Sequence, residues 1–284
     1  MAEMPRRRSE VFGVDFSGAR DAGKKIWVAR GAIDGERLRI EDVRRGDQLR
    51  DSGRPRDRCL AALRRCVAEH PEAVFGLDFP FGLPLVVTDQ LFRAERWSDF
   101  LASFVGRYGG GRRAAEQFKL DCWEAAGNKE AKRATDKALK TPFSPYNLWL
   151  FRQTYYGILE VLAPLVAGGL ASVLPMQPAR PDRPWLLEVC PASTLQRLGI
   201  YGRSYKRKTA ADRNAREGIL ERLKTGGAVW FPKPQLEQVV LDDHHGDALD
   251  GVIAAFAVFS ALQDAAFPLA SVGEDSQVEG RIYA

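Results

Sequence analysis

The chain has 284 residues, 45% of them hydrophobic and 28% charged. Such a chain suits one large α/β domain or two small ones, and excludes intrinsic disorder, a collagen-like fibre and a disulfide-stapled mini-protein. Lys and Arg number 42 against 37 Asp and Glu, a net charge of +5, which allows an anionic partner such as nucleic acid without demanding one.

In chain order, Val11 to Ser17 reads as an apolar strand ending in Asp15-Phe16-Ser17-Gly18. Ile26 to Ile33 and Arg37 to Val43 read as two more strands, joined by Asp34-Gly35, a dipeptide favoured in tight hairpins. The chain therefore opens with an antiparallel three-strand meander. Leu60, Leu63 and Val67 recur at helical spacing within a helix expected over 57–69. Ala73 to Asp78 is a fourth strand, closed by Phe79-Pro80-Phe81-Gly82-Leu83-Pro84.

From about 85 to 184 the texture is helical, aromatic and Pro-rich, and reads as an insertion. The sheet resumes at Trp185 to Val189, followed by helices over Ala192 to Leu198 and Ala210 to Lys224. A last helix from Asp247 to Ala265 is apolar nearly all round, as in the centre of a domain. The expectation is one domain over 1–284, with its core in about 9–84 and 185–284. Arg6, Arg7 and Arg8 precede no apolar stretch, and the longest apolar run, Gly251 to Leu262, is short for a membrane span. Cys59, Cys66, Cys122 and Cys190 lack metal-binding spacing and read as free thiols. Neither signal peptide nor membrane partner is expected, and a cytoplasmic location follows. Oligomeric state stays open, a homodimer included.

The placing of the acidic residues is the informative feature. Asp15 and Asp78 end strands, Glu188 sits near the end of another, and Asp247 and Asp250 open the last helix, three apart on one face. Ligands of open α/β sheets gather at the carboxyl ends of strands. Carboxylates meeting there would repel one another without a cation. All-oxygen ligation favours Mg²⁺ or Mn²⁺, and two such ions serve phosphodiester hydrolysis. Asp15, Asp78, Asp247 and Asp250 are the candidate ligands, with Glu188 completing the catalytic set. Taken singly, each has a plainer role: Asp15 and Asp78 in turns, Asp247 beside a helix dipole, Glu188 paired with an Arg.

This order of elements resembles the ribonuclease H-like superfamily, and Asp247-Ala248-Leu249-Asp250-Gly251 is similar to the Asp-x-x-Asp helix of its Holliday-junction resolvases. A closer resemblance is to predicted nucleases grouped as domain of unknown function family 429. It is carried by Gly13 to Gly18, Leu77 to Pro84, Glu188 to Ala192, Asp247 to Gly251 and Glu279 to Tyr283, and is thin across 85–184. Phe16-Ser17, where many members carry Gly, and Gly251, where Ala is commoner, depart from the pattern without removing a carboxylate. The resemblance implies a ribonuclease H-like mixed sheet, with an antiparallel opening meander, flanking helices and a helical insertion, and a metal-dependent nuclease activity. It also marks Arg133-Ala134-Thr135-Asp136 and Tyr205-Lys206-Arg207-Lys208 as family-like elements. Arg133, Asp136, Lys206 and Lys208 become candidate substrate-binding residues, with His244 orienting water or donating to a phosphate.

Other signals weigh less. Gly18 to Lys25 nearly matches a phosphate loop, but Lys25 stands where Ser or Thr should be and no helix follows. Arg213, Arg216, Arg222 and Lys224 could hold a phosphate backbone, but acidic residues interleave them. Tyr146, Trp149, Phe151, Tyr155 and Tyr156 could stack bases, although aromatics at this density more often fill a core. Two alternatives to a nuclease stand: an ATP-dependent phosphotransferase of the actin and sugar-kinase superfold, and a non-catalytic nucleic-acid-binding module.

Overall fold

A computed structural model describes residues 8–110, 113–202, 204–225, 228–265, 267, 273 and 275–284. The opening meander forms as expected: β1 (Glu10–Asp15), β2 (Trp27–Asp34) and β3 (Arg37–Arg45) pair antiparallel, with Asp34 opposite Arg37 across the Asp-Gly turn. Helix α1 (Arg56–Ala68) leads to β4 (Val74–Leu77), which runs parallel to β1 with Gly13 opposite Gly76.

Helices α2 (Leu85–Phe92), α3 (Trp97–Tyr108), α4 (Ala114–Ala125), α5 (Ala134–Ala138), α6 (Phe151–Gly157) and α7 (Ala163–Ala167) fill most of the expected insertion. The insertion stops short of 184, because β5 (Ser172–Leu174) rejoins the sheet beside β6 (Trp185–Val189). A three-residue strand is too short to show a period of two, so nothing in the sequence marked it. Beyond it lie α8 (Pro191–Arg197), α9 (Ala210–Thr225), β7 (Val229–Trp230), α10 (Pro234–Asp242), α11 (Asp247–Gln263), α12 (Ser276–Glu279) and β8 (Ile282–Tyr283).

Among the described residues the strands form one mixed, eight-stranded sheet in the order β5-β6-β4-β1-β2-β3-β7, with β8 paired to β6. Successive side chains on a strand face opposite ways, and the two cores divide by that rule. Phe12, Val14, Phe75, Leu77 and Leu186 pack with α1 and the helices of 85–167. Val11, Val74, Leu187 and Val189 pack on the other face with α11. Helix α11 lies close against the sheet because the strands offer glycine there. A Cβ on Gly13 would stand 2.1 Å from the Ala255 nitrogen, and one on Gly76 would stand 2.6 Å from Val258 Cγ2. No described helix is long and apolar enough to cross a membrane.

Candidate active site

Asp15 and Asp78 share the face that carries Gly13 and Gly76. Each follows its glycine by two residues, and a strand returns to the same side every second residue. The Asp78 amide donates to the Val14 carbonyl at 3.0 Å, so Asp78 continues the parallel pairing one step past the strand. The close contact of α11 with those glycines sets its first turn, with Asp247 and Asp250, beside the same sheet end. Asp243 supports that turn, its carboxylate accepting from the Ala248 amide at 2.9 Å.

Asp250 is buried, at 2% exposure, yet both its oxygens are partnered. The Tyr205 hydroxyl donates to one at 2.7 Å, and the Lys206 ammonium forms an ion pair with the other. The segment carrying these two residues is clamped by the buried Arg216, which donates to the carbonyls of Tyr205 (2.6 Å) and Leu241 (3.1 Å). Burial, reinforced by repulsion from Asp250 and Asp247, pushes the Asp15 carboxyl well above its ordinary range. Burial and then Asp250 raise Asp78 to about 8, and burial raises Asp247 to about 6. Burial opposes the charge of Lys206, but Asp250 and Asp15 outweigh it and raise that pKa. Four carboxylates thus share one local ammonium.

Glu188 and its neighbours form an adjoining assembly that lines the same cleft as Asp78 and Asp250, and the charge of Glu188 adds to the upward push on Asp78. Glu188 pairs in register with Leu77 of β4, and so projects to the face opposite Asp15 and Asp78. There it meets the Arg133 guanidinium, whose Nη2 and Nη1 donate to Glu188 at 2.5 and 2.8 Å. The same guanidinium donates twice to Asp136, at 2.9 and 3.0 Å, and once to the Glu279 carbonyl at 3.1 Å. All five donors of an arginine are therefore used, and Arg133, Asp136 and Glu188 are 1%, 3% and 2% exposed. Arg133 and Asp136 are not free to hold substrate, and Glu188 is a buried partner of arginine, the plainer of its two roles. The Glu279 carboxylate closes the assembly by accepting from the Leu85 (2.7 Å) and Ala134 (2.6 Å) amides.

Two further expectations move. Lys208 is exposed and lines neither cleft at the acidic cluster, and His244 faces a separate groove beside Trp27 and Arg45. The segment before α9 aims Lys206 inward and leaves Lys208 exposed, and His244 sits in the turn from Asp243 to Gly246 that joins α10 to α11. The α9 cations are likewise largely committed: Arg213 pairs with Glu217 and Asp242, and Lys224 with Glu221 and Glu237.

Two clefts meet at Asp78 and Lys206. One, of about 590 Å³, is lined by Asp250, Cys190, Tyr201 and Phe143. The other, of about 1170 Å³, is lined by Asp15, Asp247, Arg20, Trp149 and Arg152. The Cys190 thiol stands beside Asp78, and burial pushes it up to about 12, so it is neutral and a poor nucleophile. The donors of Asp15, Asp78, Asp247 and Asp250 are all carboxylate oxygens, the kind that hard divalent cations take. Among the described residues, however, no three His, Cys, Asp or Glu side chains are gathered as a ready ligand set, and an ammonium sits on Asp250 instead.

Sequence reasoning placed Asp15, Asp78, Asp247, Asp250 and Lys206 at this point but missed Tyr205 as the partner of Asp250. A readable signal did exist for the strand acids: Gly13-Val14-Asp15 and Gly76-Leu77-Asp78 repeat Gly-x-Asp, a glycine for close helix approach with the acid next on that face. Comparison with protein-family models, with curated proteins and with solved structures found no match to this chain.

Proposed function

We propose that this protein is a divalent-metal-dependent phosphodiesterase acting on nucleic acid, built on a ribonuclease H-like sheet. The strand order supports the fold reading, with an antiparallel β3-β2-β1 meander continued by parallel β4 and β6. One observation carries the activity. Asp15 on β1, Asp78 at the end of β4 and Asp247 in the first turn of α11 gather at one sheet end, where burial first and repulsion from neighbouring carboxylates second raise their pKa against the offsetting charge of Lys206.

Asp15, Asp78, Asp247 and Asp250 fit Mg²⁺ or Mn²⁺ by donor chemistry, and would hold it. When bound, such an ion neutralises charge at a phosphoryl oxygen and acidifies water. The chain's own groups supply the rest. Lys206 carries a positive charge at the mouth shared by both clefts, where it meets a phosphate. The Tyr205 hydroxyl fixes the orientation of Asp250. Asp78, which burial and then Asp250 push up to about 8 in the metal-free protein, would be held in its charged form by a bound cation.

The test is calorimetric titration with Mg²⁺ and Mn²⁺ of the wild type and of Asp15→Asn/Asp250→Asn, beside a cleavage assay on mixed nucleic acids. Ion uptake and metal-dependent cleavage in the wild type, both lost in the double variant, are expected. No ion uptake by the wild type, even with nucleic acid present, would sink the hydrolytic reading in favour of a non-catalytic module.

A further inference from the structure

We propose, on the basis of the phosphodiesterase reading above, that the larger cleft binds single-stranded polynucleotide, with an unpaired base stacked on Trp149 and its phosphates held by Arg20, Lys25 and Arg152. The chemistry of the cleft changes along its length. Its inner end is the acidic cluster with Lys206, and its outer part carries Arg20, Lys25, Arg56 and Arg152 against a single acid, Glu116. A polyanion entering from outside is therefore drawn along cations toward the carboxylates.

Trp149 stands at the rim, 75% exposed, more than any other large hydrophobic side chain among the described residues. Leu148 beside it is 61% exposed. The other insertion aromatics are accounted for: Tyr146, Phe151 and Tyr155 are buried in the core, and Tyr156 carries the Arg56 guanidinium over its ring at 3.4 Å. The backbone under Trp149 is fixed. Its amide donates to Asn147 Oδ1 at 2.9 Å, and the Leu150 and Phe151 amides donate to the Asn147 carbonyl at 2.9 and 2.8 Å. An exposed indole on a hydrogen-bonded turn beside cations is a stacking platform, because every base has a π-face and every nucleotide a phosphate. In a duplex those faces are already stacked, which selects a single strand.

The cations are available to varying degrees. Arg20 has no ion-pair partner among the described residues. Lys25 reaches Asp21 only at 3.8 Å, with half its side chain exposed. Arg152 pairs with Glu116 at 2.8 Å on an exposed surface, where such a pair is weak and readily exchanged for a phosphate. The loop from Ser17 to Arg20 is packed under α6: a Cβ on Gly18 would stand 2.4 Å from the Arg152 carbonyl. Arg20 and Arg152 are thereby set on one wall.

The test is fluorescence anisotropy of a labelled oligothymidylate, an oligouridylate and a matching duplex, each about 15 nucleotides long, all in excess EDTA. The wild type is expected to bind the single strands more tightly than the duplex. Trp149→Ala should weaken that binding by about 5-fold to about 150-fold, and Trp149→Phe should restore most of it. Arg20→Ala should lower the slope of log affinity against log salt by about 0.7. Equal or tighter duplex binding, no strand binding, or Trp149→Ala binding as the wild type does would each overturn the proposal. EDTA keeps the two readings apart. Strand binding without ion uptake in calorimetry leaves this proposal standing and removes hydrolysis, and ion uptake without strand binding does the reverse.

Discussion

Replacing Arg133 with Met is expected to loosen the fold while leaving strand affinity intact. The guanidinium is 1% exposed and spends all five donors on Asp136, Glu188 and the Glu279 carbonyl. Its removal leaves two buried carboxylates, Asp136 and Glu188, without a cation. Breaking a buried ion pair from one side costs about 3–5 kcal/mol, since the remaining charge stays desolvated. For a chain of this size each kcal/mol lowers the melting temperature by about 2–4 °C, so a fall of about 6–20 °C follows. Thermal melts by circular dichroism measure it. Arg133→Met/Glu188→Gln should recover part of the loss, because it removes one of the orphaned charges. Oligonucleotide affinity of Arg133→Met, measured well below its melting point, should stay within about 2-fold, under 0.5 kcal/mol. A melting point within about 2 °C of the wild type, together with weakened strand binding, would refute the assignment and return Arg133 to a phosphate-binding role.

Gly13→Ala should cost about 3 kcal/mol, the upper end of overpacking penalties, because its Cβ would lie 2.1 Å from the Ala255 nitrogen and 2.2 Å from the Gly251 carbonyl. Gly251→Ala, whose Cβ finds its nearest neighbour at 3.5 Å, should be neutral or stabilise the helix by up to about 1 kcal/mol; chemical denaturation of the pair checks both. The metal-free protein should lose stability as pH rises from about 4 to about 8. Asp78 has a folded pKa of about 8 against an ordinary 3.8, through burial and then Asp250, so its protonated form stabilises the fold fully below the lower value and is lost through the upper. Asp15 and Asp247 act in the same direction. Denaturant titrations in EDTA across that range should show the slope, Asp78→Asn should flatten it, and stability that rises with pH would contradict it. Lys206→Met should tighten Mn²⁺ binding by about 100-fold or more, since a unit charge about 5 Å from a divalent ion at an effective dielectric near 20 opposes it by about 6 kcal/mol. Calorimetry that found weaker uptake would show Lys206 supporting the ion site instead of competing with it.

Local pattern was enough to reveal the opening meander, the fourth and sixth strands and the buried last helix. The Asp-Gly turn, the apolar runs and the all-apolar helix are nearest-neighbour signals, and the structure has them where local physics puts them. Asp15, Asp78, Asp247 and Asp250 were legible for the same reason, each standing at the end of an apolar element. The very short strands β5, β7 and β8 were not, because two or three residues carry no period, and their pairing comes from neighbours far away in the chain.

What tertiary structure alone decided is which acids work together. In Leu186-Leu187-Glu188 the residues on both sides of the sheet are buried, so apolar alternation cannot say which way Glu188 points. Its face follows from pairing with Leu77, and that register turns its carboxylate onto Arg133. In the same way, only the packing of α9 and α10 around Arg216 turns Tyr205 and Lys206 onto Asp250. A sequence determines which residues end its strands and helices, because propensity and burial act over a few neighbours. Which face a charge takes, and which distant charge meets it, depends on register and close packing between segments far apart in the chain, and these exist only in the folded protein.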